Sequence, residues 1–130
     1  MANKNKTKNE DKKPQITYDE WLYMNEKEVT VVEINEALKN NKLDIDLWDQ
    51  LGVISVKLSD NTYLDIEEIE SDLGDDEDNK FVENHNVKSI FTVKMVHESF
   101  EYAKEIMTLI TKNMGGFFCM DNDNFNPIVK

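Results

Sequence analysis

The chain has 130 residues, a length typical of one domain, and carries 15 basic against 27 acidic side chains, for a net charge of −12. Every basic residue is a lysine, and a strongly acidic chain without arginine, the usual phosphate-binding side chain, is unsuited to nucleic acid. No apolar run approaches the ~20 residues of a membrane span, and a single cysteine excludes an internal disulfide.

Residues 1–15 form a lysine-rich segment with almost no apolar side chains, a composition that predicts a disordered tail. Its lysines are Lys4, Lys6, Lys8, Lys12 and Lys13. Residues 16–130 are predicted to form a single domain. Because the lysine-rich segment is basic, the net charge of this domain is more negative than that of the whole chain.

Two early segments have the pattern of a capping box, in which a Thr hydroxyl accepts a backbone hydrogen bond and a Glu three residues later reaches back. The first, residues 17–20, predicts a short helix, and the second, residues 30–33, predicts another. Residues 44–52 favour a further turn or two of helix with Gly52 just past its end.

The apolar period then changes from helix to strand. Residues 53–59 and 62–66 alternate between apolar and polar side chains, and Asp60-Asn61 suits the turn of a hairpin between them. Residues 65–74 remain open to two interpretations, a helix that ends at Gly74 or a strand that continues into a loop.

The last third of the chain predicts strand, helix and strand over residues 87–95, 98–114 and 117–120. If the two strands are parallel neighbours, the helix crosses between them with right-handed sense. The order of elements predicts an α+β domain, with helices packed on a small, mainly antiparallel sheet.

Catalytic and metal-binding patterns are weak. Cys119 lies in an apolar run and is typical of a core cysteine, while His85 and His97 lack the spacing of zinc ligands. The turn at residues 121–127 fails the EF-hand pattern, because Phe and Asn stand at its third ligand and glycine positions. We therefore expect no catalytic residue, no metal and no cofactor.

Carboxylates are the most informative feature of the chain. Residues 65–78 carry nine of them in fourteen positions, and a second group surrounds a tryptophan. An aromatic side chain flanked by acids is a familiar hot spot for a basic partner, although Trp48 is equally suited to the core. The predicted partner-binding residues are Asp44, Asp46, Trp48, Asp49, Asp65, Glu67, Glu68, Glu70, Asp72, Asp75, Asp76, Glu77 and Asp78.

In charge, size and layout the chain resembles immunity proteins, small acidic inhibitors of nuclease-type toxins. The resemblance is to a functional class, and it implies a cytoplasmic, non-catalytic protein that occupies the cationic site of a basic toxin or effector. Abundant lysine without arginine also favours an AT-rich genome, bacterial or phage.

Three alternatives remain at the level of sequence. The first is a small enzyme or metal-dependent module that uses His97 and the 121–125 turn. The second is a phage-encoded mimic of nucleic acid, which would use the same acidic surface. The third is a homo-oligomer whose interface includes Phe117, Phe118 and the helix at residues 98–114.

Overall fold

The computed structural model describes residues 16–130, so the predicted tail over residues 1–15 lies outside the described part of the chain. The described residues form three α-helices and one seven-stranded sheet. The strands are β1 (Tyr18–Asn25), β2 (Ile45–Trp48), β3 (Val53–Lys57), β4 (Tyr63–Ile69), β5 (Ser89–Val96), β6 (Phe117–Met120) and β7 (Ile128–Val129), and the helices are α1 (Val31–Leu38), α2 (Asp76–Asn84) and α3 (Phe100–Met114).

The sheet has the order β2-β3-β4-β5-β1-β6-β7, and every neighbouring pair is antiparallel. The predicted α+β class with a mainly antiparallel sheet is confirmed. Strands β5 and β6 are parallel to each other but are not neighbours, because β1 lies between them. Helix α3 therefore connects two strands across an intervening one, rather than two adjacent strands.

Helices α1 and α3 pack on one face of the sheet, which we call the helix face. Alternate residues of β1, β3, β4 and β5 point into this face and are buried with the inner stripe of α3. Trp21 stacks on Phe100 at the start of α3, with ring centroids 5.4 Å apart. Phe118 is fully buried in the same core, as is the inner stripe of α3, so these residues contribute to folding rather than to an exposed interface.

Within residues 16–130, the second face of the sheet is covered on one side only. Helix α2 contributes Val82 and Phe81 to a smaller core that contains Leu22, Ile90 and Cys119 from β1, β5 and β6. No residue of β2, β3 or β4 belongs to this smaller core. The part of the second face formed by those strands therefore lies outside the cover of α2.

The helix predicted to begin at residue 17 is wrong, because residues 18–25 form β1. The strand is buried on both faces from Trp21 to Asn25, so its apolar residues follow one another without the alternation of a half-exposed strand. The second capping box is confirmed at α1, where Thr30 accepts from Val32 N–H and Glu33 reaches back to Thr30 N–H.

The helix predicted over residues 44–52 is also wrong. Residues 45–48 form edge strand β2, and a single 3₁₀ turn (Asp49–Leu51) ends at Gly52, which has φ of 67°. Residues 65–69 continue strand β4, which resolves the open interpretation in favour of a strand. The acidic run that follows opens α2, where Asp75 caps the helix by accepting from Glu77 and Asp78 N–H.

A hydrogen-bond network fixes the end of β1 against the end of α3. The Tyr23 hydroxyl donates to Gly115 C=O at 2.6 Å and accepts from Asn25 Nδ2 at 2.9 Å, while Asn25 Nδ2 also reaches Met114 C=O at 3.1 Å. Burial raises the pKa of Tyr23 to about 12, so the phenol remains a donor at any physiological pH. Gly116 has φ of 75°, and a Cβ there would meet the Met24 carbonyl and the Tyr23 ring.

This close approach predicts different costs for two adjacent substitutions. Gly115 also has positive φ, but nothing lies within 4 Å of a Cβ added there. We expect Gly115→Ala to lower the free energy of unfolding by about 1–3 kcal/mol through backbone strain alone. Gly116→Ala should lower it by roughly 2 kcal/mol more, because the methyl group overlaps backbone and ring atoms. Denaturant titration measures both, and equal losses would contradict the described packing.

Candidate functional site

The candidate site is the uncovered part of the second face, which we call the open sheet face. It is formed by the outward side chains of β2 to β5 and by the start of β1. Its members are Asp44, Asp46, Trp48, Val53, Ser55, Lys57, Tyr63, Asp65, Glu67, Thr92, Lys94, Val96, Tyr18 and Glu20.

Strand register places these side chains in rows. One row crosses five strands and consists of Asp46, Ser55, Asp65, Lys94 and Glu20, each directly opposite the next. Within it, Ser55 Oγ donates to Asp65 Oδ1 at 2.6 Å, which holds that carboxylate in a fixed orientation. Carboxylates thus occupy both ends and the centre of the row.

A parallel row carries Trp48, Val53, Glu67 and Thr92 across β2 to β5. Glu67 lies two residues beyond Asp65 along β4, so the two carboxylates share the open sheet face as neighbours. The face is therefore acidic near β4, with Trp48 at its edge.

Three aromatic side chains of the open sheet face are about half exposed. Trp48 and Tyr63 each retain 46% exposure and Tyr18 retains 50%. Large aromatic side chains left this open on a sheet favour contact with another molecule, because each has area to bury and a rigid shape. The Lys94 ammonium lies 4.6 Å from the Tyr18 ring centroid, a cation–π contact.

Five of the predicted partner-binding residues belong to the open sheet face: Asp44, Asp46, Trp48, Asp65 and Glu67. Asp49 is exposed in the 3₁₀ turn directly after β2. Members of the two groups of acids, separated in the sequence, therefore share one face of the sheet, on β2 and β4, with β3 between them. Because Trp48 is about half exposed, it is a surface residue rather than a core residue.

Glu68 lies apart from the other predicted residues. Its side chain is on the helix face, where the carboxylate accepts from Val31 N–H at 3.0 Å at the first turn of α1. An acid at a helix N-terminus is stabilised by the unpaired N–H groups there. Glu68 therefore orients α1 on the sheet and is not available to a partner.

The remaining predicted carboxylates lie in the loop after β4 and in the first turn of α2. Asp72 accepts from Gly74 N–H and from Asn79 Nδ2, and these hydrogen bonds lower its pKa. Asp75 is the N-cap of α2. Glu70, Asp76 and Glu77 are exposed and make no side-chain hydrogen bond to a described residue. This group lies outside the strands that form the open sheet face, and part of it stabilises α2.

Sequence reasoning missed the aromatic residues Tyr18 and Tyr63. The predicted hairpin already contained a signal for Tyr63, because the residue directly before buried Leu64 must point to the opposite face. Tyr18 had no such signal while its segment was assigned to a helix.

The candidate catalytic side chains His97 and Cys119 each have a defined environment in the fold. His97 Nδ1 lies 3.0 Å from both carboxylate oxygens of Asp19, and this pair raises the pKa of His97. Cys119 is fully buried, and desolvation raises the pKa of its thiol to about 12, with a smaller contribution from Asp121. Among residues 16–130, no group of three or more His, Cys, Asp or Glu side chains is arranged to hold a metal ion.

Comparisons with known proteins add no relative: no family model, curated protein or solved structure matches the chain significantly. None of the helices within residues 16–130 has the length and apolar character to cross a membrane. The functional argument therefore rests on the open sheet face itself.

The His97–Asp19 pair predicts a pH dependence. Because the folded-state pKa of His97 is raised above 6.5, protonated His97 stabilises the fold fully below pH 6.5, and this stabilisation is lost as pH rises through the raised value. We expect an NMR titration to place His97 above 6.5 and Asp19→Asn to lower it. An unchanged His97 pKa in Asp19→Asn would contradict the pairing.

Burial of Cys119 predicts an unreactive thiol. At neutral pH the native protein should fail to react with a thiol reagent such as dithionitrobenzoate, because the thiolate is scarce and inaccessible. Full reaction is expected after denaturation, and Cys119→Ala serves as the blank. Rapid labelling of the native protein would instead point to an activated cysteine.

Proposed function

We propose that this protein is a non-catalytic binding module that recognises a basic protein through its open sheet face. The observation that carries the proposal is the uncovered half of the sheet, where half-exposed Trp48 and Tyr63 flank the carboxylates of Asp46, Asp65 and Glu67. Aromatic side chains supply the buried area of an interface. Carboxylates orient the approaching partner and raise the rate constant of association.

Asp46, Asp65 and Glu67 of the open sheet face form no ion pair with another described residue. Within the described residues, the only ion pairs join Lys39 to Glu36 and His97 to Asp19, and neither lies on this face. Asp46 and Glu67 have no side-chain partner in residues 16–130, and Asp65 has only the neutral Ser55 hydroxyl. A lysine or arginine from a partner can therefore pair with these acids without breaking an existing ion pair.

Among residues 16–130, β2 has no strand partner on its outer edge, and this edge extends the same surface. Lys57 N–H donates to Asp44 C=O, so antiparallel alternation directs the backbone groups of Asp44, Asp46 and Trp48 toward β3 and those of Ile45 and Leu47 outward. An extended segment of a partner can hydrogen-bond to these outward groups. Pairing with a second copy is disfavoured, since Asp44 and Asp46 would approach their own equivalents.

The class of partner follows from charge. A protein of net charge −12 attracts basic proteins over distances up to about the Debye length. The open sheet face then supplies the short-range contacts. A cationic, nuclease-like toxin or effector in a bacterial cytoplasm is the partner that we propose, in keeping with the resemblance to immunity proteins. Occupation of its cationic site would inhibit it.

Affinity capture from the source cell tests the proposal when matched variants are used as baits. Trp48→Ala should weaken binding of a captured basic protein by about 2 kcal/mol, roughly 30-fold in Kd, because a large aromatic side chain that the interface would bury is lost. Tyr102→Ala is the matched control, since Tyr102 is 44% exposed on α3, away from the open sheet face. Titration calorimetry measures both.

A second pair of variants separates local charge from net charge. Asp65→Asn with Glu67→Gln removes two charges from the open sheet face, whereas Glu101→Gln with Glu105→Gln removes two from exposed positions of α3. Only the first should slow association and reduce its dependence on salt. Equal effects of both pairs, or capture of no basic protein at low salt, would contradict the proposal.

A further inference from the structure

The proposed function leaves the lysine-rich segment of the sequence unused. Residues 1–15 contain five lysines against two acids, Glu10 and Asp11, whereas the rest of the chain is strongly acidic. Lys4, Lys6 and Lys8 recur at every second position, so an extended backbone would direct all three to one side.

The described chain begins beside the open sheet face. Thr17 C=O accepts from His97 N–H at 2.8 Å, which anchors the start of β1 to the end of β5. Tyr18 follows immediately, and its ring lies on the open sheet face beneath the Lys94 ammonium. The lysine-rich segment is therefore covalently attached at the border of this face.

The distance across the face is within reach of the segment. From β1 to β2 there are four strand spacings of about 4.8 Å, or about 19 Å in all. Fifteen residues in extended conformation span up to about 50 Å. Every carboxylate of the face is accessible to some lysine of the segment without extreme extension.

The chemistry of the face suits lysine. Its carboxylates accept charged hydrogen bonds, and the half-exposed rings of Trp48 and Tyr63 have no cation above them among the described residues. The contact between Lys94 and Tyr18 shows that this face already accommodates an ammonium over an aromatic ring.

We propose that the open sheet face binds the lysines of residues 4–13, within the lysine-rich segment of its own chain. The segment then occupies the place of a basic partner, which must displace it. This competitive role rests on the proposed function, whereas the contact itself does not.

Because the segment and the face belong to the same chain, even a weak contact between them is occupied to a large extent. A short tether gives an effective concentration of about 1 mM, so a contact with an intrinsic Kd of about 1 mM is roughly half occupied. Removal of such a competitor should tighten partner binding by about two-fold, and a tighter contact would give a larger gain. Neutralising the lysines should thus have the opposite effect from neutralising the face.

Paramagnetic NMR on the full-length protein tests the contact without any partner. A nitroxide attached to Thr7→Cys labels a single site, because Cys119 is fully buried. At low salt we expect selective broadening of the amide signals of Ser55, Asp65 and Glu67, relative to those of Glu101 and Thr108 on α3. High salt should remove the difference.

Two sets of substitutions control the experiment. Lys4→Gln, Lys6→Gln and Lys8→Gln together should abolish the selective broadening, whereas Lys104→Gln with Lys112→Gln, at exposed positions of α3, should leave it unchanged. A mixture of labelled protein with ¹⁵N protein that carries no label identifies contacts between copies.

Three results would overturn the proposal: uniform broadening at low salt, broadening centred on residues 75–78 and 121–123, or broadening that arises between copies in the mixture. Because the partner is absent, none of them bears on the proposed function. Conversely, a partner that binds Trp48→Ala with unchanged affinity would contradict the proposed function. It would not bear on the contact between the lysine-rich segment and the open sheet face, which the NMR experiment tests by itself.

Discussion

The burial of β1 on both faces is the constraint on which the rest of the structure depends. From Trp21 to Asn25 every residue of this strand is buried, and its neighbours β5 and β6 satisfy its backbone. Such a strand needs cover on each side, which α3 supplies on the helix face and α2 on the second face. The hydrogen bonds of Tyr23 and Asn25 to the end of α3 fix this arrangement, and Gly116 allows the close approach of the two backbones.

The open sheet face follows from the same constraint. Helix α2 has nine residues and is about 14 Å long, whereas seven strands extend about 29 Å. Placed over β5, β1 and β6, it cannot also cover β2 to β4. The outward side chains of β2 to β4 are therefore mainly polar or aromatic, and most of the apolar side chains point toward α1 and α3. A surface left open by a short helix is thus the one that bears the candidate site.

Sequence periodicity predicted the elements whose environment differs between their two sides. Strands β3 and β4 alternate because only every second residue of each enters the core of the helix face, and α3 has one buried stripe, so all three were found. Strand β1 was missed because burial on both faces removes the alternation, and Thr17 then imitated a helix cap. Helix α2 was missed because its acidic first turn resembles a solvated loop, although Asp75 and the acids after it are typical of a helix start. The candidate site was predicted in part, since strand pairing, invisible in the sequence, brings Asp46 and Asp65 into one row.

Placement, rather than total charge, decides which carboxylates can bind a partner. Alternation along β4 directs Asp65 and Glu67 outward but turns Glu68 to the start of α1, so three nearly adjacent acids have two different roles. Carboxylates that lie close to one another are harder to ionise, as Asp78 and Asp121 illustrate. Desolvation and neighbouring carboxylates raise the pKa of Asp78, and desolvation and Glu20 raise the pKa of Asp121. Acids used as caps or held among like charges add to the long-range field of the protein without presenting a binding surface. Specific recognition then depends on the few carboxylates beside exposed aromatic rings, where a cation can be partly desolvated and its pairing strengthened.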